Sequence, residues 1–265
     1  MLIDWTHLLT LVACITALLV VGGMLLIGTT RFADGSLPYP EGAGEYFRSS
    51  KKIALTITKG VLSVTLICAF GLFFVDRIDL KAFSLVAEKS FFLERLTHVI
   101  LIGAGFGLLV AIVFDVLSAL FFGQFHRKWV EDCQFNRWRT YCGAALFAGA
   151  SEELVFRLVL LSGLCWAFES IWPTYGFWPA NLIASLLMVA THLPIVGSVA
   201  PKNFWNKVKL IGVIAPISMI LGYAYWNFGF EVAILAHAIG LLLSWLFWAV
   251  VHRINIDYSK RPTDA

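Results

Sequence analysis

Between Leu96 and Phe122 the chain reads LTHVILIGAGFGLLVAIVFDVLSALFF. The run holds one carboxylate, Asp115, and no Lys or Arg. Wound as an α-helix it would be about 40 Å long, against a bilayer hydrocarbon core of about 30 Å. A helix that is apolar all round must be covered on every side, by protein or by lipid. The rest of the chain is too apolar for protein alone to do this. Of 265 residues, 59% are hydrophobic and 14% charged, with a mean hydropathy of +0.81. An ordinary soluble domain carries about 25% charged residues. These values exclude a disordered chain, a nucleic-acid module and a conventional soluble enzyme, and they make the lipid bilayer the expected solvent.

Working outward from this run, spans are expected at about 8–28, 53–75, 96–122, 142–166, 177–194, 210–226 and 231–251, with an eighth if a long run is broken or re-entrant. The expected fold is all-α: a polytopic helical membrane protein of about seven to eight transmembrane helices, forming one integral domain over residues 1–265. With the N-terminus outside, fourteen of the twenty Lys and Arg fall on cytoplasmic segments and four outside. The other two, Lys59 and Arg157, lie inside spans. The positive-inside rule therefore gives N-out, C-in, and the expected location is a bacterial inner membrane. Trp residues near span ends, among them Trp5, Trp129, Trp178, Trp205 and Trp226, suit the headgroup region, whereas Trp245 and Trp248 are expected to pack inside. Five Cys without a Cys-x-x-Cys pair give neither a disulfide framework nor a Cys-based metal site. The net charge of +3 is too small to point to nucleic acid.

Chemistry enters where ionisable groups interrupt the apolar pattern, because each costs about 2.5–3.5 kcal/mol at mid-membrane on insertion scales. The run Tyr141–Leu161, YCGAALFAGASEELVFRLVLL, contains Glu152, Glu153 and Arg157. Glu153 and Arg157 are four apart and share a helix face, so they can pair. Glu152 is turned about 100° away and has no charged partner in its own helix. Two adjacent carboxylates repel, and a desolvated one is a candidate general base or acid. A helix-locking ion pair beside one satisfied polar Glu is the plainer alternative. Gly and Ala residues from Gly143 to Ala150 suit close helix packing. His192 falls in the last turn of the fifth span, before Pro194, which should end or kink that helix. By itself it reads as an interfacial histidine. His237 sits in FEVAILAHAIGLLL with no polar residue within a turn, and so requires a partner from another helix. Asp115 could face the same cavity or play a structural part. From the expected cytoplasmic edges, His192 lies near the surface, Glu152 about 15 Å deep and His237 about 21 Å deep, depths that tilted or broken helices could bring together in a cavity open to the cytoplasm.

Taken together, this set resembles the CPBP family of intramembrane proteases. That family includes the CAAX prenyl endopeptidases and the bacteriocin-processing or immunity proteins also called Abi. Glu152, Glu153 and Arg157 match its Glu-Glu-x-x-x-Arg motif. His192 matches Phe-x-x-x-His, with Met188 in place of Phe, and His237 matches His-x-x-x-Asn, with Leu241 in place of Asn. The resemblance covers about residues 140–250. It implies an endopeptidase acting on a membrane-tethered or membrane-inserted peptide. Catalytic roles would fall to Glu152, His192 and His237, and supporting roles to Glu153 and Arg157. Glu152 would activate water with His192, and His237 would donate to the oxyanion. No cofactor is implied, although two His and a carboxylate leave zinc open. Leu241 removes a second oxyanion donor, which implies a slow enzyme, a rearranged oxyanion hole or an inactive, peptide-binding relative of the immunity type. Buried acids and histidines also suit a proton-coupled transporter, although no repeat pair accompanies them.

Overall fold

The computed structural model describes residues 8–9, 11–21, 50–78, 92–123, 138–173, 175–195, 201 and 203–259. The expected first span is thus described only as far as residue 21, and Trp5, Trp129 and Cys133 lie outside the described residues. All regular structure among the described residues is helical. A short apolar helix, α1 (Leu11–Val21), precedes α2 (Ser50–Arg77) and α3 (Phe92–Phe122). A continuous helical run follows, built from α4 (Trp138–Glu153), a π-helical segment (Leu154–Leu161) and α5 (Ser162–Glu169). Next come α6 (Phe177–His192), α7 (Phe204–Phe228) and α8 (Phe230–Ser259). As Pro194 foretold, α6 stops at His192 and tightens into a 3-10 turn over Leu193–Ile195.

Three helices among the described residues are long and apolar enough to cross a membrane: Glu94–Phe122, Phe204–Phe228 and Phe230–Val251. The most apolar window of the first is only 28% buried inside the protein. Leu101 and Leu120 on that helix are 67% and 72% exposed. Water would penalise so much bare hydrocarbon, whereas lipid does not. The same physics explains the outward Phe70, Leu186 and Phe247 on other helices.

Packing gathers the polar residues at the centre of the bundle. One apolar cluster joins Leu11 and Ile15 of α1 and Cys68 of α2 to Leu154, Leu158 and Leu161 of the π segment. A second joins Val110 of α3 to Val213, Ile217 and Leu221 of α7 and Ala236 of α8. Helices α6 and α7 run antiparallel, with Phe177 stacked on Trp226 and Trp178 on Tyr223 at the shared end. A single residue, Gly229, separates α7 from α8. Its φ of 101° and ψ of 171° are open to glycine and strained for any residue with a Cβ. Gly149 lets α4 approach α8 closely: a Cβ there would stand 3.2 Å from the Ile234 carbonyl oxygen and 3.4 Å from Ala238 Cβ. This contact lies one turn from Glu153 on α4 and within a turn of His237 on α8.

Candidate active site

The two adjacent glutamates fall into different environments because the helix turns between them. Glu153 is fully buried, and its Oε1 lies 2.7 Å from Nδ1 of His237 on α8. Its Oε2 lies 3.1 Å from Nε of Arg157, an ion pair too bent to count as a hydrogen bond. Arg157 is 1% exposed and uses its other nitrogens as well. Nη2 donates to the Ser218 carbonyl at 2.9 Å and to Ser218 Oγ at 3.1 Å, while Nη1 faces Met188 Sδ at 3.1 Å. The buried charge is therefore both paired and solvated by polar atoms of α6 and α7, which such burial requires. His237 has the interhelical partner its apolar context demanded, and that partner is Glu153.

Glu152 faces the other way. Its Oε1 stands 3.7 Å from Nε2 of His192, and the two side chains are 24% and 21% exposed. That separation is an ion-pair distance, too long for a hydrogen bond. Oε2 of Glu152 is buried and has no hydrogen-bond partner among the described residues. Nδ1 of His192 lies 2.9 Å from the Met188 carbonyl oxygen, which can only accept. This nitrogen therefore carries the proton, and in the neutral ring Nε2 presents a lone pair toward Glu152. Thr191 Oγ1 donates to the same carbonyl at 2.7 Å.

Glu152, His192, Glu153, Arg157 and His237 are thus brought into one contiguous set from three helical runs: α4 with its π continuation, α6 and α8. His192, expected near the cytoplasmic edge, stands directly beside Glu152. The reason is that α6 ends at His192, so its last turn reaches the level that α4 attains only at Glu152. Met188 shows why its position matters, since its carbonyl orients His192 and its sulfur meets Arg157. Sequence gave no sign of Ser218, or of the buried Ser162–Tyr225 pair at 2.7 Å beneath Arg157, because hydroxyls are common in apolar helices. It also gave no sign of the π segment, which begins immediately after Glu153 and contains Arg157. Such widened turns recur at functional sites.

The half-exposed Glu152–His192 face offers two acceptors to a small polar ligand. Glu153 and the Nδ1 edge of His237 are already committed to each other. Among the described residues, no group of three or more His, Cys, Asp or Glu is gathered as a metal site.

Residues 134–243 match the family model described as type II CAAX prenyl endopeptidase Rce1-like. No curated protein and no solved structure matches the chain. All five polar residues of the site fall inside the matched segment, carried by α4, the π segment, α6 and α8. Over those residues this membrane protein is similar to the CAAX-type proteases of the CPBP family.

Proposed function

We propose that this protein is an intramembrane endopeptidase in which Glu152 activates a water molecule to hydrolyse a peptide bond of a membrane-tethered or membrane-inserted substrate. The observation that carries this reading is the unequal state of the twin acids. Glu153 is fully buried between Arg157 and His237, whereas Glu152 is half-buried opposite His192, with one carboxylate oxygen that has no hydrogen-bond partner among the described residues. A water held there gives one hydrogen to Glu152 and one to His192, leaving its oxygen lone pairs for attack. As the C–O bond forms at the scissile carbonyl, the water proton passes to Glu152. Collapse of the tetrahedral intermediate breaks the C–N bond, and the proton moves from Glu152 to the departing amine nitrogen. His237 donates to the oxyanion through Nε2. The Nδ1 edge of His237 is held by Glu153, which leaves Nε2 as the ring atom able to face the oxyanion.

The test is cleavage of a labelled peptide library by the detergent-purified protein. Glu152→Gln should lower turnover by about 10²–10⁴-fold, the usual contribution of a positioned base. Cleavage should persist with a chelator present. Full activity in Glu152→Gln would overturn the assignment, and chelator-sensitive cleavage would replace the glutamate mechanism with a metal one. A second reading has one observation in its favour. Leu241 lies one turn from His237 on the same face of α8, where a further donor would serve the oxyanion. A protein that binds the peptide without cutting it would show saturable peptide binding and no product.

A further inference from the structure

A second polar cluster lies outside the matched family segment. Asp115 is on α3, before residue 134, and both its partners are on α8, after residue 243. Ser244 Oγ donates to Asp115 Oδ1 at 2.6 Å, and Trp248 Nε1 donates to the same oxygen at 2.9 Å. The short hydroxyl contact is in the range of a charge-assisted bond to a carboxylate. On α8 the spacing His237, Leu241, Ser244, Trp248 is 4, 3, 4, so all four lie on one helix face. The Asp115 contacts are therefore an extension of the face that carries the candidate oxyanion donor.

Towards the middle of the α3–α8 contact small residues bring the two helices together. Gly240 presses on Val110 and stands close to the Gly107 carbonyl, since a Cβ there would meet Val110 Cγ1 at 2.5 Å and Gly107 O at 3.3 Å. A Cβ at Gly107 would meet Ile239 Cγ2 at 2.6 Å. Small-residue contacts of this kind bring backbones together by dispersion, and the Asp115 bonds add a directional tie to them. Rotation is the variable that matters to His237. Turning α8 by about 20° would carry a ring about 6 Å from the axis through about 2 Å, enough to break its bond to Glu153.

We infer that Asp115 is a positioning residue, which fixes the rotation of α8 through Ser244 and Trp248 and so holds His237 against Glu153. The inference deepens the peptidase reading and rests on the role given there to His237. It is tested by two measurements, one of which does not depend on catalysis. The first is the pair of ring ¹⁵N shifts of His237 in histidine-labelled, detergent-purified protein, assigned with His237→Gln. The second is the kcat and KM of peptide cleavage. In Asp115→Leu the His237 shifts should move toward those of a ring without a carboxylate partner, and kcat should fall about tenfold with KM unchanged. Asp115→Asn keeps an acceptor oxygen and should restore both, with kcat within about threefold of the parent. Should Asp115→Leu fail to fold, Ser244→Ala and Trp248→Phe each remove one donor, and the same shifts are read. Unmoved His237 shifts in variants of lowered thermal stability would make the cluster a structural staple and overturn the inference. If the parent protein cleaves nothing, the peptidase reading falls, while the shifts still support or overturn the positioning role.

Discussion

Arg157 shows how much a single side chain holds in this protein. Its guanidinium meets Glu153, Met188 and both the carbonyl and hydroxyl oxygens of Ser218, and it is almost wholly buried. Arg157→Met keeps volume but leaves the Glu153 carboxylate buried with His237 alone. Breaking a buried pair by removing one partner costs about 3–5 kcal/mol. Unfolding by denaturing detergent in mixed micelles should show a loss of that size. The double variant Glu153→Gln/Arg157→Met should recover part of it, because it removes the orphaned charge as well. A single-variant loss below about 1 kcal/mol would mean that water or lipid headgroups already solvate the pair. Leu241 lends itself to the opposite experiment, in which a group is added. If the oxyanion has one donor in His237, Leu241→Asn supplies a second from the same helix face. Removal of such a donor typically lowers kcat by about 10²–10³-fold. Its addition on an unadapted backbone should raise kcat by about tenfold or more, read as initial rates on the best library peptide. No gain, with His237 still required, would place the oxyanion on another side of the ring.

At the scale of elements, the site depends on how closely α4 can approach α8, and Gly149 sets that approach. A methyl group there would stand 3.2 Å from the Ile234 carbonyl oxygen, tighter than ordinary contact. Gly149→Ala should lower stability by about 1–3 kcal/mol, as overpacking does. The separation it forces lies beside the Glu153–His237 bond, so kcat should also fall while the Glu152–His192 side is undisturbed. Comparing the unfolding midpoint with kcat checks both effects, and an unchanged kcat would show that the helices slide rather than part. The same elements show what was legible in the sequence. Helix positions followed from apolar runs: those at 53–75, 96–122, 210–226 and 231–251 each fall within a single helix. The five site residues were legible because an ionisable group in an apolar run is costly and therefore conspicuous. What stayed hidden involves groups that cost little when read alone. The Met188 carbonyl, the Ser218 hydroxyl and the π turn after Glu153 leave no mark in hydropathy, and the Glu153–His237 pairing is a contact between residues 84 apart. Asp115 was conspicuous and Trp248 was expected to pack inside, but that the two meet, together with the Ser244 hydroxyl, is a pairing that hydropathy does not record.

Across the whole molecule, the remaining question is which side of the bilayer the site serves. Helices α6 and α7 are antiparallel, so the end of α6 that carries His192 lies toward the start of α7, where Phe204 and Trp205 are about 70% exposed. Lys207 and Lys209 follow within the first turns of α7. The opposite end carries Trp172, Tyr175 and Trp178, all strongly exposed, with no Lys or Arg between residues 158 and 201. Indoles mark both interfaces, but between residues 158 and 209 cations occur only at the end that bears Trp205. Each Lys or Arg near an anionic cytoplasmic surface contributes about 1 kcal/mol, so the end bearing Trp205 should face the cytoplasm. In a background with the native cysteines replaced, Tyr175→Cys and Trp205→Cys report the two ends. A membrane-impermeant maleimide should label Tyr175→Cys in right-side-out vesicles, and Trp205→Cys only once the membrane is inverted or opened. That pattern would have the half-exposed Glu152–His192 pair approached from the cytoplasmic end, and would confine substrates to peptides presented there. The reverse pattern would invert the bundle without altering a single internal contact, because the geometry of the site is fixed by helix packing and its sidedness by the few charges at the helix ends.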